Sequence, residues 1–92
     1  RARYNLYLFP KDSESKNYNV VGEINAWTDT ISYGEEGSSG YKIYDLEKVE
    51  WPNGGSSTFD DCEITEAIKG TALCRDNEDR DWKIKLGEKA KN

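Results

Sequence analysis

Asp60, Asp61 and Glu63 stand within four positions of one another, Glu35 and Glu36 are adjacent, and the chain contains no histidine. Paired carboxylates are the equipment of glycoside hydrolysis, one acting as acid and the other as base or nucleophile. Adjacent residues of a strand point to opposite faces, so Asp60 and Asp61 are not placed to flank one bond. Without histidine, Ser–His and Cys–His nucleophile systems lack their base, and so does histidine-assisted RNA cleavage. The carboxylates therefore read as solvated surface. The chain reads as non-enzymatic, with no catalytic residue and no cofactor.

Arg75 to Asp81 is an unbroken run of charged and amide residues. Counted from Asn77, positions one, three, five and twelve are Asn77, Asp79, Asp81 and Glu88, which approaches the calcium-ligand order of an EF-hand loop. The sixth position is Trp82, where such a loop needs glycine, and the residues that follow alternate like a strand rather than a helix. No metal site is expected, and the run reads as an exposed turn. A phosphate-binding glycine loop and an N-x-[ST] sequon are both absent from the sequence.

Cys62 and Cys74 are the only cysteines, twelve positions apart across a turn centred near Ile68–Gly70. Two strands paired antiparallel about that turn would bring the Cα atoms to the spacing a disulfide needs. The C-x-x-C spacing of redox and zinc motifs is missing. A Cys62–Cys74 disulfide in a stapled hairpin is expected, and with it an oxidising, extracellular environment. The first residue is Arg1 rather than Met, which reads as a trimmed form that has lost its leader.

Ninety-two residues suit one domain, 1–92, whose small core makes a staple useful. Three Trp, six Tyr and two Phe supply the bulk that a modest share of aliphatic residues does not. These aromatics either fill the core and its margins or line a sugar- or protein-binding face, and periodicity does not separate the two. Charge is uneven. Residues 35–68 carry two positive against nine negative side chains, whereas residues 1–34 balance and 69–92 are slightly basic. So acidic a middle repels phosphate backbones, and nucleic acid is not an expected partner. No apolar run approaches the length of a membrane span.

The elements that must position these residues follow period two almost throughout. "RYNLYLF" puts Tyr4, Leu6 and Leu8 on one face. "YNVVGEINAW" does the same for Tyr18, Val20, Ile24 and Ala26, with a bulge expected at Gly22; "TDTISY" either extends this strand or forms a third after a kink near Thr28–Asp29. "GEEGSSG" reads as a flexible loop. "YKIYDLEKVEW" loses phase after Ile43, which suggests a bulged strand or, second, a helical turn at Asp45–Lys48. "WPNGG" is a turn. "STFDDCEITEAI" is a strand, "KG" a turn, "TALC" the return strand and "DWKIKLG" the closing strand, with Trp82, Ile84 and Leu86 inward. Residues 88–92 form a polar, frayed tail. Turn signals at this spacing indicate an all-β chain, an antiparallel sandwich or small barrel, and the first reading is a small antiparallel β-sandwich of about six short strands with one disulfide.

The "ARYNLYL" opening, the short strands rich in Tyr and Trp, the cysteine followed by a polar turn, and the "DWKIKLG" ending resemble the MAX group of small secreted effectors. These are proteins of plant-pathogenic fungi and include blast-fungus avirulence proteins and the ToxB toxin. The ending is also similar to that of the ToxA-type effector sandwich. The MAX disulfide generally ties the first strand to a late one, and the first strand here carries Asn5 and no cysteine. The resemblance implies two packed sheets, no enzyme activity, secretion with entry into host cells, and virulence or avirulence function. It implies binding to a plant host protein and recognition by an immune receptor. The alternative is a secreted carbohydrate-binding, inhibitor or toxin domain.

A small monomeric sandwich has edge strands that accept an incoming strand. The irregular segment Tyr41 to Trp51 is the expected edge. Its Tyr41, Tyr44 and Trp51, beside Asp45, Glu47 and Glu50, would meet a basic partner surface.

Overall fold

The computed structural model describes residues 1–13, 15–65 and 70–91. Among them β1 (Ala2–Pro10), β2 (Tyr18–Ser32), β3 (Ser38–Glu50), β4 (Ser56–Thr58), β5 (Glu63–Thr65), β6 (Thr71–Arg75) and β7 (Asp81–Lys89) make one antiparallel sheet. The order is β4-β3-β2-β1-β7-β6, with β5 beside β4 on the same flank of β3. The all-β antiparallel class holds. The layers differ from the expected sandwich, because a single curled sheet supplies both walls of the core.

Two bulges help the sheet to curl, since an extra residue on one strand bends it and increases local twist. Glu23 faces Lys48 while Ile24 faces Leu46, so Glu47 is the extra residue on β3. This bulge is the phase step from Leu46 to Val49 and not a helical turn, while the earlier step after Ile43 arises because Ile43 lies on the opposite face from Leu46. On β7 the register with β1 jumps between Leu6↔Leu86 and Tyr4↔Lys89. Gly87 sits at that jump, where a Cβ would lie 2.7 Å from the Asn5 carbonyl oxygen. Gly22 is not a bulge. It makes room, because a Cβ there would meet Leu6 at 2.4 Å and Leu46 at 2.8 Å.

Inside the curl lie Leu6 and Leu8 of β1, Val20 and Ile24 of β2, Leu46 and Val49 of β3, Ile64 of β5, and Trp82 and Ile84 of β7, together with Phe59. The alternation read from β1 and β7 is therefore realised, with Lys83 and Lys85 outward and Leu86 packed at the core margin.

Of the two readings of "TDTISY", the extension is realised, since β2 continues to Ser32. Three local expectations need correction. Of the "GEEGSSG" loop, Gly34–Glu36 form a 3-10 turn and Ser38–Gly40 already belong to β3. The tail is not free along its length, because β7 includes Glu88 and Lys89 and the Ala90 N–H donates to the Arg3 carbonyl. The long strand expected over residues 57–68 is divided into β4 and β5, with Asp61 between them at φ 54. Its end, Glu66, Ala67 and Ile68, and Lys69 of the expected turn lie outside the described residues.

That division changes what the disulfide does. β5 pairs with β3 and β6 with β7, so Cys62 and Cys74 do not staple a two-stranded ladder. They join opposite ends of the sheet, with Cα atoms 5.5 Å apart. A bridge between Phe59 and Asp76, and the Asn77 N–H donating to the Thr58 carbonyl, close the same seam. Intact-mass analysis is expected to show two alkylated thiols only after reduction. Reduction should lower unfolding free energy in urea by about 3 kcal/mol, the chain-entropy value for so short a loop. Alkylation without reductant would contradict the closure.

The molecule is long, 51 × 32 × 21 Å. Its radius of gyration is 14.3 Å, against about 12 Å for a compact chain of this length. The excess comes from the distal β2–β3 hairpin. β1 pairs with β2 only from Tyr18 to Ile24, yet β2 and β3 stay paired out to Ser32↔Ser38. Residues 25–40 are all exposed. None of the described helical turns is long and apolar enough to cross a membrane.

Candidate functional site

The six residues expected to form one binding edge are distributed over different surroundings. β3 is not an edge strand in this region. β5 covers it from Ile43 to Asp45, β4 covers it from Lys48 to Glu50, and between them the Leu46 N–H donates to Cys62 and the Phe59 N–H to Glu47. The bulge that suggested an edge instead accommodates two short strands on one flank. Tyr44 is buried, edge-on to Tyr4 with centroids 5.5 Å apart. Glu47 and Glu50 form ion pairs with Arg1 and Arg3, at 2.8 Å and 2.6 Å. Asp45 is half-buried. Its carboxyl is pushed above the ordinary range by desolvation, with Glu47 and Asp61 adding repulsion.

Tyr41 and Asp45 do share a surface, the outer face of the hairpin arm. Directly opposed residues of an antiparallel pair lie on one face. Trp27↔Ile43, Asp29↔Tyr41 and Ile31↔Ser39 therefore place Trp27, Asp29, Ile31, Tyr41 and Ile43 on one face. Ile43 is 6% exposed, while Trp27 and Ile31 are 38% and 42% exposed. Beside this face, no described strand covers the flank of β2 from Asn25 to Ser32.

Trp51 belongs to another constellation. Its ring lies 5.4 Å from that of Trp82, and Tyr18 stands edge-on to both, at 5.9 and 5.7 Å. The Arg80 guanidinium lies 5.7 Å from the ring centroids of both tryptophans, within cation–π range. Three separate parts of the chain thus converge: the start of β2, the turn after β3, and the β6–β7 hairpin.

The hairpin is shaped by Asp76, whose side chain is fully enclosed. One oxygen accepts the N–H groups of Glu78 and Arg80, both at 2.9 Å. The other accepts Arg80 Nε at 2.8 Å and the Trp82 indole N–H at 2.9 Å. Burial alone would raise the carboxyl's pKa. The Trp82 indole, the two backbone N–H groups and the Arg80 guanidinium outweigh it and hold the group below its ordinary range. Asp79 takes the left-handed conformation, φ 62, that lets so short a loop return. Ser57 Oγ then accepts from both Trp51 Nε1, at 2.8 Å, and Arg80, at 3.1 Å, linking the hairpin to β4.

The acidic run takes part in this internal bonding. Asn77 Oδ1 accepts the Thr58 N–H, Asp81 pairs with Arg75 at 2.8 Å, and Glu78 pairs with Arg80 at 2.8 Å. Among the described residues no three acidic or sulfur ligands converge.

Tyr18, Asp76, Arg80 and Trp82 were not legible as a group in the sequence. The available signal was an acid at the first loop position with an indole immediately beyond the loop, which the reading of the run as a plain solvated turn passes over. Beside the rings, a recess of about 530 Å³ opens between the turn after β3 and the β6–β7 loop. No family model matches the chain, and neither a similar curated protein nor a similar solved structure was found.

Proposed function

We propose that this chain is a secreted, non-enzymatic effector module that binds a protein of a plant host, and that a host immune receptor can bind it in turn. The observation that carries the binding role is the hairpin arm. It extends past the core with Trp27 and Ile31 exposed on one face and the flank of β2 open from Asn25 to Ser32. Such a flank offers backbone N–H and C=O groups to an incoming strand, and the neighbouring side chains set selectivity. Asp29, Glu35 and Glu36 stand against Lys42 over residues 25–42, so the arm is acidic. The occupant that suits it is an extended, basic segment of the partner. The disulfide accords with secretion, and the effector assignment itself rests on the sequence resemblance.

The arm replaces Tyr41 to Trp51 as the binding edge, with Tyr41 and Asp45 retained at its base. Capture from leaf extract followed by binding of the purified partner tests this. The double variant Trp27→Ala/Ile31→Ser should bind at least about tenfold more weakly, the loss of roughly one buried anchor. Its melting temperature should stay near that of wild type, since both residues lie outside the core. Equal affinities for an identified partner would reject the arm.

A further inference from the structure

We infer a second binding site, in the recess beside Tyr18, Trp51 and Trp82, and assign its ligand to neutral polyhydroxylated molecules, a pyranose residue of an uncharged oligosaccharide. The volume, about 530 Å³, lies within the range of small-ligand sites. Its walls combine aromatic surface with a few polar groups, the arrangement that fixes a ligand's orientation. A sugar ring presents an apolar C–H face to an aromatic ring and hydroxyls at its rim.

The chemistry of the rim selects among ligands. Arg80 is paired with the buried Asp76 and with Glu78, so the cluster carries one more negative than positive charge. A phosphate, sulfate or carboxylate would meet no unpaired cation here. A ligand cation would have to displace Arg80, which already lies over both tryptophan rings. A neutral ligand needs no counter-charge, and the ring it reaches without displacing Arg80 is Tyr18, which lines the recess and is 40% exposed.

Hydroxyls need donors and acceptors together, and the recess has both. Asn53 Oδ1 is occupied by the Gly55 N–H, which leaves the amide NH2 as the group it presents. Glu78 Oε2 is occupied by Arg80, which leaves Oε1 as an acceptor. The two line the recess from opposite loops. Those loops are held by Asp76 and Ser57, so binding need not order them first.

The test is titration of the isotope-labelled protein with β-1,4-linked tetrasaccharides of N-acetylglucosamine, glucose and mannose at millimolar concentration, followed by indole N–H resonances. At least one sugar should shift the Trp51 and Trp82 signals saturably and leave Trp27 unmoved. Glu78→Ala should weaken that binding about tenfold, as loss of one hydrogen bond to a charged acceptor does. Tyr18→Leu, which removes an aromatic face, should weaken it further, with both variants folded by circular dichroism. The Trp27→Ala/Ile31→Ser arm variant should bind sugar like wild type, which separates this site from the protein-binding arm. No saturable shift with any of the three, or shifts produced only by a sulfated oligosaccharide, would overturn the assignment.

Discussion

Replacing Asp76 by alanine is expected to lower stability by about 3 kcal/mol or more, as loss of one partner from a buried charged pair does. In urea melts the midpoint should fall with little change in slope. Two backbone N–H groups, one indole N–H and one guanidinium Nε converge on this carboxylate. Trp82, 7% exposed, has little access to replacement water. Arg80 is half exposed and can be resolvated, which keeps the loss near the lower end for buried pairs. A thermal midpoint lower by roughly 12 °C or more should follow for a domain this size. A variant as stable as wild type would show that the hairpin holds its shape without its acceptor.

The same residue sets part of the acid limit. Its folded-state pKa lies below the unfolded value of about 3.9. The stabilisation is present above that unfolded value and is lost as pH falls through the folded one. Asp81, lowered chiefly by its hydrogen bond from Arg75, acts in the same direction. Asp45, raised by burial, acts oppositely, because its charged form is disfavoured in the folded state and protonation relieves this. Asp76→Asn removes only the first contribution. Wild type and Asp76→Asn should therefore differ most at neutral pH and converge in acid, whereas a constant gap would assign the loss to packing alone.

How far the sequence reveals the fold depends on the range of the interaction. β1 and β7 alternate cleanly, and each buries the face its period implies, because alternation is a property of consecutive residues. The phase break in β3 was visible for the same reason. Its meaning was not, since a bulge inside a sheet and an irregular edge strand leave the same local trace. Only the pairing of β4 and β5 along one flank distinguishes them. The disulfide partners were legible with just two cysteines present, but the seam they close depends on β5 joining β3 rather than β6. The arm was hidden by its composition, as Gly34, Gly37 and Gly40 read as loop while the ladder passes through Ser38 to Gly40. The Tyr18–Trp51–Trp82 cluster was the least legible, since no period links three distant segments.

Ile84 tests the phase of β7 most directly. It is fully enclosed, flanked in register by Leu8 of β1 and Ala72 of β6, while Lys85 next to it faces solvent. Truncating Ile84 to alanine removes apolar atoms from a core held between bonded strands, and these walls can close only partly over the space. The expected loss is about 2–5 kcal/mol, the range for aliphatic truncations that leave a cavity. Since a small domain has only about 5 kcal/mol or somewhat more in total, a loss at the upper end of that range should leave the variant partly unfolded at about 25 °C. Lys85→Ala, one position on and outside the sheet, should stay within about 0.5 kcal/mol of wild type. Ile84→Val, which deletes one methyl group, should cost about 0.5–1.5 kcal/mol. That ordering, with alanine worst, valine intermediate and the lysine variant neutral, identifies burial as the cause. Equal losses at Ile84 and Lys85 would place the inward face of β7 on the wrong side of the sheet.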